Sequence, residues 1–434
     1  MLKEYSDRDI LRLHMPGHKG RLHESDITEI DGADSLFEAS GVIYESEKNA
    51  GEIFGADTFY STEGSSLSIR AMVHLLCLYA KETGREPIIL AARNAHKSFI
   101  SAVALTFAKV KWMVAKETKS YLCCPITKKE AEDYILGCDT PPVAMYLTSP
   151  DYLGNVLDIK GIKEVCTKHG VLLLVDNAHG AYLKFLKESR HPIDLGADMC
   201  CDSAHKTLEV LGGGGYLHIS KNAPRFFKER AKEAMSLFAS TSPSYLILSS
   251  LDRVNSLLSG EFSNILTTFI GKLTVFKEKI KDIGYEDISA EPLKITIYAK
   301  SYGYLGSELS EELKKCGIYC EFYDRDYLVM MLSPYMTEAE LLRLYDVLSS
   351  IKKKAKILDT SPRFSLPSVA TTPREAIFSP SERLPLERCI GRVLSAVSVG
   401  CPPAVPLIVS GEIIDKATVT AAQYYGIEYF SVIK

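Results

Sequence analysis

No run of about 18 apolar residues occurs in the 434-residue chain, so no membrane-spanning helix is expected. An excess of either charge is also missing. Lys and Arg number 51 against 55 Asp and Glu, for a formal charge of −4, which gives no electrostatic reason to expect a nucleic-acid partner. The amino-terminal stretch MLKEYSDRDILRLHMPGHKG is charged throughout and lacks the apolar block of a secretory signal. Cysteine is present, at 11 residues, but no CxxC pair occurs. The closest sets are Cys123-Cys124, Cys200-Cys201 and Cys316 with Cys320, whereas a structural zinc site calls for two close ligand pairs. No metal is therefore expected, and an odd cysteine count without a signal fits a reduced, cytoplasmic protein. GxxxxGK[ST] is absent, and the GGGG of 212–215 leads into a strand-like YLHI instead of opening a helix. Neither phosphate-binding fingerprint is present.

What is present is a strand–helix alternation. Hydrophobic residues make up 46% of the chain and charged ones 24%, enough for a large core. At roughly 100–200 residues per domain the length fits two or three domains. Residues 1–50 read as a polar, irregular arm. From there, short apolar runs at 88–92, 110–114, 143–148, 171–176 and 216–219 alternate with helical stretches such as 66–81 and 158–169. That alternation predicts an α/β fold with a mostly parallel central sheet, a large domain over 51–285. Residues 245–283 read as long helices. The remainder, 286–434, reads as a smaller α+β domain ending in a tail punctuated by Pro362, Pro367, Pro373 and Pro380.

Four segments carry candidate chemistry. In VLLLVDNAHGAY a buried apolar run ends at Asp176, where ligands gather in open parallel sheets, although many such acids merely cap the next helix. Thirty residues on, DMCCDSAHKTL places Lys206 just past a short strand, beside His205. A lysine amine attacks an aldehyde only when neutral, and a carboxylate facing a pyridine nitrogen keeps that nitrogen protonated. Together Lys206 and Asp176 point to pyridoxal 5'-phosphate (PLP), a pairing more specific than either residue alone. A phosphate site is then required. The segment FYSTEGSS at 59–66 offers Gly64, Ser65 and Ser66 at the start of a helix, where N–H donors and the helix dipole favour an anion. In ARNAHKS, His96 follows a strand and could stack on a planar cofactor.

In combination these segments resemble the Orn/Lys/Arg decarboxylase major-domain family of fold type I PLP enzymes. The resemblance extends through LHMPGHKG, ARNAHKS, VDNAHGAY, DSAHKTL, STSPSY, PREAIF and CPPAVPLIVSGE, almost the whole chain. It implies that Lys206 carries the cofactor, with His205 and Asp176 as its catalytic neighbours. It places Gly64, Ser65, Ser66, His96, Ala178, His179, Ser203 and Thr241 among the cofactor-binding positions. Thr241 would reach the phosphate of an adjacent subunit, so a homodimer with shared sites is implied. The chain begins at the PGHKG arm and looks like the short form without an amino-terminal wing domain. The implied activity is α-decarboxylation of arginine, lysine or ornithine to a polyamine-type amine. Glu375 and Glu412 are candidates to hold the cationic side chain.

The sequence departs from the family pattern at Glu63, where NGST or NGTS is usual, and at Asn177, which replaces a usual glutamate. Tyr182 replaces a frequent histidine, and LEVLGGGG follows the lysine. Two other readings remain open. One is a transaminase or lyase, in which Arg363, Arg374 or Arg392 would grip a carboxylate; the other is a weakened PLP-binding regulator.

Overall fold

The computed structural model describes residues 5, 7, 10–118, 120–362, 366–397 and 405–434. Seven strands make one sheet: β1 (Ala56–Ser61), β2 (Ile88–Ala92), β3 (Lys109–Met113), β4 (Ala144–Thr148), β5 (Leu172–Asp176), β6 (Met199–Asp202) and β7 (Gly215–Ser220). Their order is β1-β7-β6-β5-β4-β2-β3. Strands β2, β6 and β7 are buried at every position, which is why the sequence shows unbroken apolar runs in place of alternation.

Strands β4, β5 and β6 run parallel, and β7 runs antiparallel to both β6 and β1. This register brings four chain segments to one place. Asp176 at the end of β5 lies opposite Cys201, Asp202 at the end of β6 lies opposite Tyr216, and Ser61 at the end of β1 lies opposite Gly215. The turns that follow β1, β5 and β6 therefore meet the glycine-rich entry to β7. Strand β1 is not anticipated by an apolar-run criterion. Its sequence ADTFYS is largely polar, and its burial only partly alternates.

The helices form where the spacing predicts. Gly64–Glu82 and Ile159–Lys168 match the expected stretches within two residues. The long helical region is two helices, Tyr245–Ser259 and Phe262–Asp282. The first begins with the Ser244 hydroxyl accepting from the Ile247 N–H and buries Leu248, Leu251, Val254 and Leu258 at helical spacing. Among the described residues no helix is long and apolar enough to cross a membrane.

By compactness the chain divides into two units that are discontinuous in sequence, unlike the contiguous partition expected. One comprises Met1–Leu90, Glu132–Ser149 and Ile159–Ser263, the other Ala91–Ala131, Pro150–Asp158 and Asn264–Lys434. The second unit contains a three-stranded sheet of β8 (Lys294–Tyr298), β9 (Phe322–Tyr323) and β10 (Tyr327–Met331), ordered β8-β10-β9. It also contains a two-stranded antiparallel sheet of β11 (Ser381–Pro385) and β12 (Tyr429–Ile433). The proline-punctuated end of the chain is therefore more than a tail. Leu384, Leu394, Ile408, Ile414 and Phe430 close a core of their own around β11 and β12.

Candidate active site

Asp176 is 2% exposed at the carboxyl end of β5. Its Oδ2 accepts from the Tyr146 hydroxyl at 3.1 Å, and its Oδ1 accepts from the Ala178 N–H at 3.2 Å and from the Cys201 thiol at 3.6 Å. Donors from β4, from the turn after β5 and from β6 thus fix the plane of the carboxylate. Tyr146, on neighbouring β4, is completely buried, and burial together with the adjacent Asp176 pushes its phenol far above the ordinary range. It stays a neutral donor. The sequence reading missed Tyr146, and the signal was a tyrosine in an otherwise apolar buried strand, since a buried phenol needs a hydrogen-bond partner.

Lys206 sits on the short helix Ala204–Thr207 that follows β6, with its Nζ 2.9 Å from Nε2 of His179. With Lys206 as an ammonium its Nζ donates and His179 Nε2 accepts. His179 is 4% exposed and stands three residues beyond Asp176. His205 is held differently. Its Nδ1 donates to the Gly214 carbonyl at 2.8 Å, and the same carbonyl accepts the His205 N–H at 3.1 Å.

Beside these lies a cradle of small groups. The Ser203 hydroxyl donates to the Ser65 hydroxyl at 2.9 Å and accepts from the Ser65 N–H at 3.3 Å. Ser65 and Ser66 open the 19-residue helix Gly64–Glu82, whose positive end favours an anion. Gly64 serves the turn. Its φ is +63°, and its N–H is spent on the Gly213 carbonyl at 2.6 Å. Within the glycine run, Gly213, Gly214 and Gly215 are close-packed. A Cβ on Gly213 would stand 2.8 Å from the Thr62 carbonyl oxygen, and one on Gly215 2.8 Å from that of Asp202. Glu63 is turned to the loop that bears Thr241, where its Oε1 accepts the Ser240 N–H at 2.7 Å. Thr241 itself is exposed.

Beneath the site runs a buried polar network. Asp202, fully buried, accepts on Oδ2 from Nε2 of His191 at 3.0 Å and of His218 at 3.2 Å, and on Oδ1 from the Asn177 amide at 2.7 Å. Burial alone would raise the Asp202 pKa, but His191 and His218 outweigh it and hold the carboxyl well below its usual range. The ligand atoms of His191, Cys200 and Asp202 lie within 4.8 Å of one another. Nδ1 of His191 accepts from the Ile193 N–H at 3.4 Å, which leaves the ring proton on Nε2, pointing at Asp202. That tautomer makes the cluster a hydrogen-bonded group. Asn177 is thereby explained, because a glutamate at this position would put a second carboxylate against Asp202.

The remaining expected residues lie in the second compact unit. His96 caps helix Lys97–Leu105, its Nδ1 accepting from the Ser98 N–H at 3.1 Å. Neither glutamate proposed for the substrate is uncommitted. Glu375 closes a capping box with Thr372 at the start of helix Pro373–Phe378. Glu412, 1% exposed, accepts from Arg93 at 3.1 Å and from the Val409 N–H at 2.7 Å. Of the arginines considered for a carboxylate, Arg374 donates to the Ala104 carbonyl and Arg392 to Glu382. Arg363 and the residues 401–404 that begin CPPAVP lie outside the described residues.

The mostly parallel sheet, with a carboxylate at the end of β5 and a lysine just past β6, is an α/β fold of the fold type I kind. The chain belongs to the Orn/Lys/Arg decarboxylase family, whose major domain matches residues 17–288, a family of amino-acid decarboxylases. It is similar to the arginine decarboxylase of Bacillus subtilis (strain 168), 27% identical over 457 residues that cover 96% of this chain and 91% of that one. It is likewise similar to the lysine decarboxylase LdcA of Pseudomonas aeruginosa, at 22% identity over 90% of this chain and 67% of that one. Among solved structures, the Francisella novicida lysine decarboxylase superposes with a TM-score of 0.82 at 17% identity, covering 100% of this chain and 80% of that one.

Two stability predictions follow from the buried charges. Asn177→Glu should lower unfolding free energy by about 3 kcal/mol or more, through the unpaired buried carboxylate, and adding Asp202→Asn should recover most of it. Denaturant titration measures both, and an unchanged midpoint for the single variant would contradict the network. Glu412→Gln should cost about 3 kcal/mol, because it leaves Arg93 without its counter-charge. Unaltered unfolding with only a weaker KM would instead return Glu412 to a substrate role.

Proposed function

We propose that this chain catalyses PLP-dependent α-decarboxylation of a basic amino acid, with Lys206 as the lysine that bonds the cofactor and Asp176 facing its pyridine nitrogen. The observation that carries this reading is the convergence of Asp176, His179 and Lys206, joined by the 2.9 Å contact between Lys206 and His179, beside the paired hydroxyls of Ser65 and Ser203. The donor set fits the group. Two serine hydroxyls at a helix amino terminus suit a phosphate, a carboxylate with its plane fixed suits a pyridinium N–H, and a lysine held by a histidine suits an aldehyde carbon. When bound, PLP supplies an electron sink for the pair left behind as carbon dioxide departs.

The chain's own residues do the rest. Asp176 holds a proton at the ring nitrogen, and Tyr146 and the Ala178 N–H keep the carboxylate in one orientation. Ser65 and Ser203 orient the phosphate end, with Ser66 at the same helix terminus. Ala178, buried between Asp176 and His179, offers a small surface against which a flat ring lies. Gly64 and His205 are proposed to shape the phosphate side. The exposed position of Thr241 suits a residue that completes a partner subunit's site in a homodimer. The similarity to arginine and lysine decarboxylases supports a substrate with a cationic side chain.

Incubation with arginine, lysine and ornithine tests the reading. Carbon dioxide and the matching amine should appear from at least one, and Lys206→Ala should abolish both. Release of carbon dioxide by Lys206→Ala, or formation of a keto acid without carbon dioxide, would overturn it.

A further inference from the structure

We propose that His179 is a catalytic acid–base residue that moves a proton to and from the Lys206 nitrogen. The inference rests on the decarboxylase reading above and assigns to His179 a role beyond cofactor contact. Its basis is geometric. His179 Nε2 lies 2.9 Å from Lys206 Nζ, and the ring is 4% exposed, so a proton can pass between the two away from bulk water. The neighbouring His205 is placed otherwise, because its Nδ1 is committed to the Gly214 carbonyl.

The reaction needs such a partner. A substrate arrives as an ammonium ion and must lose a proton before its nitrogen can displace Lys206 from the cofactor. That N–H bond breaks at the substrate, and the proton reaches the released Lys206 amine. His179 Nε2 takes it from there, so that an N–H bond forms on the imidazole and Lys206 becomes neutral. After the carbon–carboxylate bond breaks and carbon dioxide leaves, the substrate carbon requires one proton. His179 returns its proton through Lys206, and a C–H bond forms. The neutral Lys206 amine then displaces the product amine and rejoins the cofactor; the product takes its final proton from water. One proton is consumed overall and no oxidant or reductant is involved. An imidazole suits this task because its ordinary pKa lies near neutrality, where it both accepts and donates readily.

The test uses the full-length protein with PLP and whichever of arginine, lysine or ornithine the parent enzyme turns over. His179→Gln keeps a side chain able to accept from Lys206 but cannot shuttle a proton. It should still bind PLP with the parent's visible absorbance, while kcat falls about 10²- to 10⁴-fold and KM changes little. A second readout is independent of turnover. Covalent attachment of PLP to the apo-protein, followed by the growth of the visible band, should slow in His179→Gln. Adding free imidazole to His179→Ala should restore part of both rates. A His179→Gln enzyme with kcat within threefold of the parent, or one with raised KM alone, overturns the inference and leaves the decarboxylase reading intact. Failure of imidazole to raise either rate in a folded His179→Ala protein also counts against it. A parent protein that decarboxylates none of the three amino acids overturns the decarboxylase reading and this inference with it.

Discussion

One buried carboxylate ties together the turns on which the site is built. Asp202 ends β6, receives the Asn177 amide from the turn after β5, and receives His218 from the middle of β7. Three strands are thereby pinned at the end where Asp176 and Lys206 emerge. A fully buried anion is tolerated only when its lone pairs are answered by donors, and here two imidazoles and an amide answer them. The positions of Asp176 and Lys206 inherit their precision from this arrangement. Asp176 precedes Asn177 directly, and Lys206 follows Asp202 after a single turn.

The parallel order of β4, β5 and β6 does the complementary work. Parallel strands deliver successive carboxyl ends to the same edge, and antiparallel β7 returns its amino end to that edge. The close-packed glycines at the entry to β7 let backbone stand where side chains would not fit, which brings the start of helix Gly64–Glu82 against His205. Departures from the family pattern that look disruptive in the sequence are accommodated. Glu63 is drawn to the Ser240 N–H, and Asn177 is the residue type that a buried Asp202 requires.

Much of this was legible before any coordinates. The unbroken apolar runs located β2, β4 and β5 because strands buried on both faces have no polar alternation, and the strand-end rule singled out Asp176. Strand β1 escaped because half its residues are polar and its pairing with β7 is non-local, with partners some 160 positions apart as in Thr58 and His218. Tyr146 escaped because its hydrogen bond to Asp176 is made across strands, which spacing does not encode. Glu375 and Glu412 were attractive as carboxylates in motifs, but a capping box and a buried arginine engage them. Charge type was readable, and prior commitment was not. Prolines mark breaks in local structure, and spacing does not show that the chain beyond Pro380 pairs over long range, β11 with β12.

The central claim is that Lys206, and no other lysine, bonds the cofactor. Reducing the PLP-loaded protein with borohydride and mapping the modified peptide by mass spectrometry tests it most directly. The account predicts one pyridoxyl group per chain, located on Lys206. A modification spread over surface lysines, or a single one at a different lysine, would contradict it.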